Sequence, residues 1–308
     1  MPGLRVGIVG TGGVGIASAG AIIFQGLAGR LTLYGRSGQR AQGEALDYLH
    51  AMPLLPSAEI RGLSFDEMES EDVLVLTVGA HTTEGQSRLD ILYGNLDVIA
   101  ATAEAIERGG LPRVVIVVSN PLDVLTEYLH RRWADEPVNI MGSGTSLDTL
   151  RFTELLAQEC GVHPRTVHAW VVGEHGDSQV FLFSGARVGA MSLADYAAQR
   201  GIDVGPEWRA GVEQEVRGAA YRVRELAGAS RHGIGLAVSG LIRCIGREAG
   251  TLIPVSVRVD DDVCASLPCA LGPDGHGPPL VPSMDDDERA AWEQSLEVLR
   301  KANAVLPF

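Results

Sequence analysis

Near its start the chain runs from a short apolar stretch, RVGIV, through a glycine-dense turn, GTGGVG, into a helical pattern, IASAGAIIFQGL. This strand–turn–helix order constrains the fold more than any other feature. Gly10, Gly12 and Gly15 fit G-x-G-x-x-G, with Gly13 and Val14 filling the places between the last two. The first glycine permits a tight turn and the second lets a pyrophosphate approach the backbone. The third lets the helix pack close to the strand, its N-terminus facing the phosphates. In a chain with 38 glycines the motif alone would be weak. Its place between a strand and a helix gives it weight as a dinucleotide-binding turn.

The rest of the first half repeats the alternation. RLTLY, DVLVLTVG, RVVIVVSN and VNIMG are nearly unbroken hydrophobic runs, separated by helical patterns such as GEALDYLHAM and PLDVLTEYLHRRW. Strands without polar alternation are covered on both faces, which predicts an α/β fold with a doubly wound parallel sheet. Past Gly144 the rhythm changes. SLDTLRFTELLAQECG reads as a helix with Thr145 or Ser146 as N-cap, and RTVHAWVVGEHGDSQVFLFSGARVGAMSL as hairpin-forming strands. Two more helices, an antiparallel meander from VSVRVDD through LPCALGPDG and an acid-opened C-terminal helix complete the chain. The expectation is a dinucleotide-binding domain over residues 1–144 and a C-terminal α+β substrate domain over 145–308, with a ligand cleft between them.

Charge narrows the partners. With 25 basic and 39 acidic residues the net charge is −14, which disfavours nucleic acid and requires any anionic ligand to be held by local cations. No charge-free apolar run is long enough to cross a bilayer, and MPGLRVGIVG enters a strand without a secretory leader. The expected location is the cytoplasm. Cys160, Cys244, Cys264 and Cys269 form no CxxC pair and have no histidines at zinc-finger spacing, so they read as reduced packing residues and no metal is expected.

The segment LTLYGRSGQR carries the cofactor question. Dinucleotide-binding chains usually place an acid here, which bonds both ribose hydroxyls of NAD and repels the 2′-phosphate of NADP. This chain has Gly35, followed by Arg36 and Ser37, with Arg40 one turn on. A guanidinium and a hydroxyl suit a phosphate, so NADP is the favoured cofactor and NAD a possible one.

Three further segments carry polar groups that an apolar core does not need. They are GAHTTEGQSRLD, which carries Arg88, SLDTLRF, whose Asp148 and Arg151 share a helix face, and VVGEHGDSQV, which holds His175. Taken singly, each has an ordinary structural reading. Together with GIVGTGGVG, VSNPLDVL, GSGTSLDTLRF and GASRHGIGLA, in that order, they make the chain resemble the lactate/malate dehydrogenase family from Arg5 almost to the C-terminus. The resemblance implies two domains and reversible hydride transfer between a nicotinamide and C2 of a 2-oxo acid. It implies that His175 exchanges the proton of the carbonyl oxygen, that Asp148 orients His175, and that Arg151 clamps the substrate carboxylate. Arg88 would polarise the carbonyl when its loop closes, Asn120 would lie beside nicotinamide and substrate, and Ser230 would line the pocket.

The substrate side chain is read in the family six residues before the polarising arginine, where lactate enzymes carry Gln and malate enzymes Arg. Here that residue is Thr82, which leaves a second carboxylate without its ion pair and points to a neutral or unusual side chain rather than that of malate. Arg231 and His232, where the family more often has neutral residues, leave open a malate enzyme with a relocated cation, and His81 is similarly ambiguous. Sugar-bisphosphate activation is not expected, because His168 matches one half of that anion clamp but Thr153 replaces the arginine of the other. The resemblance also implies a homodimer or homotetramer. The competing reading, a non-catalytic dinucleotide-binding sensor or structural protein, is disfavoured by the intact Arg88, Asp148, Arg151 and His175.

Overall fold

Six parallel strands in the order β3-β2-β1-β4-β5-β6 form the central sheet of the computed structural model, which describes residues 3–80 and 88–307, the backbone alone over 88–91. In chain order the elements of the first half are β1 (Arg5–Val9), α1 (Gly13–Phe24), β2 (Arg30–Gly35), α2 (Gly38–His50), β3 (Glu59–Ser64), β4 (Val73–Leu76), α3 (Arg88–Gly109), β5 (Val114–Val117), α4 (Leu122–Arg132) and β6 (Asn139–Gly142). Side chains alternate across the sheet, as the period of a strand requires. Val73, Val75, Val114 and Ile116 face the layer of α1 and α2, while Leu74, Leu76, Val115 and Val117 face α3 and α4. Both faces are dry, and the strand order is that of a doubly wound sheet.

The sequence reading missed β3. Its EIRGLS carries Glu59, Arg61 and Ser64, and only Ile60 is fully buried, because the strand lies at the sheet edge with water on one flank. Gly62 lets α2 lie against it: a Cβ there would come within 2.2 Å of the Ala41 carbonyl oxygen.

The second half begins with α5 (Ser146–Cys160), followed by the two-residue strands β7 (Val167–His168), β8 (Val171–Val172), β9 (Val180–Phe181), β10 (Arg187–Val188) and β11 (Met191–Ser192). Then come α6 (Leu193–Arg200), α7 (Pro206–Ala227), α8 (His232–Gly246), β12 (Thr251–Asp260), β13 (Val263–Gly272), β14 (Gly275–Pro279) and α9 (Asp286–Asn303). The meander is antiparallel as expected, but it does not stand apart. β12 pairs with β6 at Ser256 and Gly142, extending the parallel sheet to nine strands. α8 returns to lie on α1, where a Cβ at Gly235 would meet the Ala17 carbonyl carbon at 2.8 Å. The small residues of α1 therefore serve a helix contact within the chain.

Candidate active site

The carboxyl ends of β1 and β4 lie where the strand order reverses, the usual place for a ligand in such sheets. Gly10 has φ +112° and Gly15 packs so tightly that a Cβ would come within 1.9 Å of the Gly10 carbonyl oxygen. Thr77, just after β4, donates from its hydroxyl to the carbonyls of Val9 and Gly10, both at 3.1 Å, and locks the turn. Nothing lies within 4 Å of a Cβ built on Gly12, so the backbone there is open to a ligand. α1 has no side-chain N-cap and no acid in its first turn, leaving its N–H groups and positive dipole end to an anion. This is the cradle a pyrophosphate needs.

From it a cleft of about 320 Å³ extends to the end of β2, lined by Gly10, Thr11 and Gly12 on one side and Gly35, Arg36, Ser37 and Arg40 on another. Ser37 is the N-cap of α2 and accepts the Arg40 N–H at 3.4 Å, so a second helix N-terminus opens into the same cleft. Gly35 is the last residue of β2, where an acidic side chain would stand; instead two guanidiniums and a hydroxyl line the wall.

α5 positions the second group of residues. Phe152 and Leu156 bury one stripe of the helix, and Phe152 meets Phe181 and Phe183 edge-on at 5.2 and 5.0 Å. Asp148 is the polar end of that stripe, one turn before Phe152, which explains why it is buried. Thr145 occupies the N-cap position, yet its side chain does not cap the helix: the hydroxyl donates to the Val171 carbonyl at 2.5 Å and ties α5 to β8.

His175 lies in the loop joining β8 and β9. The loop is anchored on both sides: Gly173, at φ +84°, exchanges two backbone hydrogen bonds with Ser266, and the Glu174 N–H donates to the Ser295 hydroxyl at 2.9 Å. The Glu174 carboxylate accepts the Ser178 N–H at 3.0 Å and folds the loop back on itself. Thus held, the imidazole Nδ1 lies 2.7 Å from Asp148 Oδ2, while Arg151 Nη1 lies 3.0 Å from Asp148 Oδ1. One carboxylate serves both groups. Burial alone would push Asp148 up, but the His175 hydrogen bond and charge, with Arg151, hold it below the usual carboxylate range. For His175 burial lowers the pKa, and the hydrogen bond and charge of Asp148 more than restore it, so the imidazole titrates above its ordinary value. With Nδ1–H committed to Asp148, Nε2 is the nitrogen left to exchange a proton.

Asn120 leads through a cis peptide bond to Pro121, and its carbonyl accepts the Asn95 Nδ2–H at 2.8 Å. Asn95 also accepts the Ala80 N–H at 2.6 Å, joining the end of the β4 loop to the turn at Asn120. Ser230 is half-buried just before α8, and the Arg231 side chain lies over the glycine turn, its Cδ 3.7 Å from a Cβ built on Gly13. Val14 lies in the first turn of α1. His81 and Thr82 lie outside the described residues, as does the side chain of Arg88, whose backbone begins α3. The four cysteines are buried and unpaired, and no described helix is long and apolar enough to cross a membrane. Two residues of the site passed unnoticed in the sequence, Asn95 and Asp123. The Asp123 carboxylate accepts the His175 N–H at 2.8 Å, and its only sequence signal is an acid placed just inside α4.

A dinucleotide cradle at the switch point and a buried His–Asp pair are the parts that a nicotinamide-dependent oxidoreductase needs. The chain belongs to the lactate/malate dehydrogenase family: residues 4–142 match its NAD binding domain and residues 145–305 its alpha/beta C-terminal domain. It is 37% identical to the L-lactate dehydrogenase of Thermus aquaticus over 99% of this chain and 100% of the relative. Its identity to the L-lactate dehydrogenase of Salinibacter ruber is 35%, over 98% of this chain and 97% of the relative. Among solved structures, a lactate dehydrogenase from a Medee basin deep-sea metagenome library superimposes with a TM-score of 0.90 at 31% identity, with 98% of each chain covered. The minor L-lactate dehydrogenase of Enterococcus mundtii does so with a TM-score of 0.92 at 29% identity over all of both chains. The family acts on 2-hydroxy acids with a nicotinamide dinucleotide, and this chain is an oxidoreductase of that type.

Proposed function

We propose that the protein interconverts a small 2-oxo acid and its (S)-2-hydroxy acid, with a neutral side chain such as that of pyruvate, and prefers NADPH to NADH. The observation that carries the proposal is the Asp148 carboxylate, shared at 2.7 Å by His175 and at 3.0 Å by Arg151. When bound, the reduced nicotinamide supplies the hydride to C2. The His175 Nε2–H gives the carbonyl oxygen its proton in reduction and takes it back in oxidation, and Asp148 holds the imidazolium that exists between the two. Arg151, fixed by the same carboxylate, offers its remaining N–H donors to the substrate carboxylate, which orients C2 for transfer. Arg88, at the start of α3, polarises the carbonyl, and Asn120 and Ser230 border the pocket.

NADP preference is supported by Gly35, Arg36, Ser37 and Arg40 lining one wall of the cleft that begins at the glycine turn. The location of Arg231 against Gly13 supports a contact with the pyrophosphate rather than with a second substrate carboxylate, so the malate reading gains nothing from it. We also propose a homo-oligomer in which copies meet over the groove lined by Phe24, Tyr48 and Leu236, where Phe24 and Leu236 are 61% and 58% exposed. A matrix of initial rates with NADPH and NADH against pyruvate, longer 2-oxo acids and oxaloacetate tests the substrate and cofactor together. Highest kcat/KM for NADPH with a monocarboxylate is expected; a clear advantage for oxaloacetate or for NADH overturns the corresponding half.

A further inference from the structure

Asp123 is a carboxylate that the reaction as described does not use, yet it lies directly behind the group that does. It sits in the first turn of α4, is 3% exposed, and its Oδ2 accepts the backbone N–H of His175 at 2.8 Å. It links α4 to the loop between β8 and β9, 52 residues away in sequence. Its Oδ1 is buried without a hydrogen bond of good geometry, although the Ser256 hydroxyl on β12 is near enough to favour its charge. A carboxylate buried only to hold one backbone N–H is a costly choice, since an amide or a hydroxyl accepts the same bond without charge.

We propose that Asp123 is a positioning residue for His175: it fixes the backbone of the proton-transfer loop and sets a second negative charge close behind the imidazole that Asp148 already holds. The inference rests on the reading of His175 as the proton-transfer group. Asp148 holds Nδ1 from α5 and Asp123 holds the main chain from α4, so His175 is held by two acids on two elements, one at the ring and one at the backbone. Among the described residues, the other charged or titratable groups near Asp123 include Glu174 on the His175 loop, Cys264 on β13 and Lys301 on α9. Glu174 opposes ionisation of Asp123, and His175 favours it. Burial pushes Asp123 up to about 6, so it is ionised at neutral pH and loses its charge, and with it the support for His175, as the medium turns acidic. A buried acid that titrates so near the working range links the acid side of the activity profile to the geometry of the loop.

The test uses the full-length protein with NADPH or NADH. Asp123→Asn keeps an acceptor for the His175 N–H but removes the charge. Two readouts are compared, the pH profile of kcat/KM in both directions and the NMR titration of the His175 ring, assigned with His175→Asn. We expect kcat to fall about tenfold, the ordinary cost of exchanging a charge-assisted bond for a neutral one. The ring titration should move to lower pH, and with it the rising limb of hydroxy-acid oxidation and the falling limb of oxo-acid reduction. A purely structural Asp123 would lower kcat without moving the ring titration, and that result overturns the inference. If His175→Asn keeps its turnover, the reading of the site fails, while the ring titration of Asp123→Asn still decides the charge effect separately. If Asp123→Asn does not fold, Ser256→Ala serves instead: it weakens the ionised form of Asp123 and should move the ring titration in the same direction by less, and no movement overturns the proposal.

Discussion

Replacing Asp148 by Asn puts the shared carboxylate to a quantitative test. Asp148 is 3% exposed and its Oδ2 lies 2.7 Å from His175 Nδ1, so the imidazolium that forms during hydroxy-acid oxidation faces a full negative charge in a dry setting. At an effective dielectric of about 20, two unit charges about 4 Å apart attract by ~4 kcal/mol. Arg151, bonded to the other oxygen at 3.0 Å, already draws on the same carboxylate and reduces what His175 gains. A net loss of about 3–4 kcal/mol in the step that charges the imidazole corresponds to a fall in kcat of about a hundredfold to a thousandfold. The pH sign follows from the same bond. Asp148 raises His175, so with Asn the imidazole stays neutral to lower pH. The rising limb of oxidation and the falling limb of reduction both move toward acid. Steady-state rates in the two directions from pH 5 to 9, with NADPH affinity from fluorescence as a control for folding, measure both effects. A variant within threefold of the parent kcat, with unmoved limbs, would refute the assignment of Asp148 and His175 as a working pair.

Arg36→Ala with Arg40→Ala should lower the ratio of NADPH to NADH efficiency by about tenfold, the worth of charge-assisted contacts in a partly exposed wall, and an unchanged ratio removes the phosphate assignment. Gly35→Asp should move preference toward NADH; its Cβ would stand 3.1 Å from the Ser37 carbonyl oxygen and 3.3 Å from the Thr11 hydroxyl, so a small loss of thermal stability should accompany the switch. Asp123→Asn should also change stability with a defined sign. A carboxyl raised from 3.8 to about 6 in the fold is most easily accommodated below its unfolded value and costs the fold on the order of 3 kcal/mol once ionised. Denaturant unfolding should therefore show the variant gaining on the parent from about pH 4 to about pH 6 and holding that gain above it, and a difference constant across this range would contradict this.

The doubly wound sheet was legible because strands buried on both faces are written as continuous apolar runs, and the glycine turn because steric demands at Gly10 and Gly15 admit no other residue. β3 was not legible: an edge strand wetted on one side has no such run, and its Glu59, Arg61 and Ser64 read as loop. The meander was recognised as antiparallel, but its attachment to β6 depends on a long-range register that local pattern does not encode. At the site, Asp148 and Arg151 could be paired from their spacing alone, since residues three apart share a helix face. The meeting of His175 with Asp148 rests on the anchoring of its loop to Ser266 and Ser295, far along the chain. Asp123 went unseen for the same reason, an acid near a helix start being ordinary until the main chain it holds is known to be that of His175.

His175→Asn, assayed for turnover and for binding of reduced cofactor in the same preparation, tests the site most directly. The geometry requires that turnover fall by several orders of magnitude while cofactor affinity stays within about threefold, because the cradle at Gly10–Gly15 makes no use of the imidazole. Retained turnover, or loss of cofactor binding together with activity, would show that this imidazole is not the proton donor.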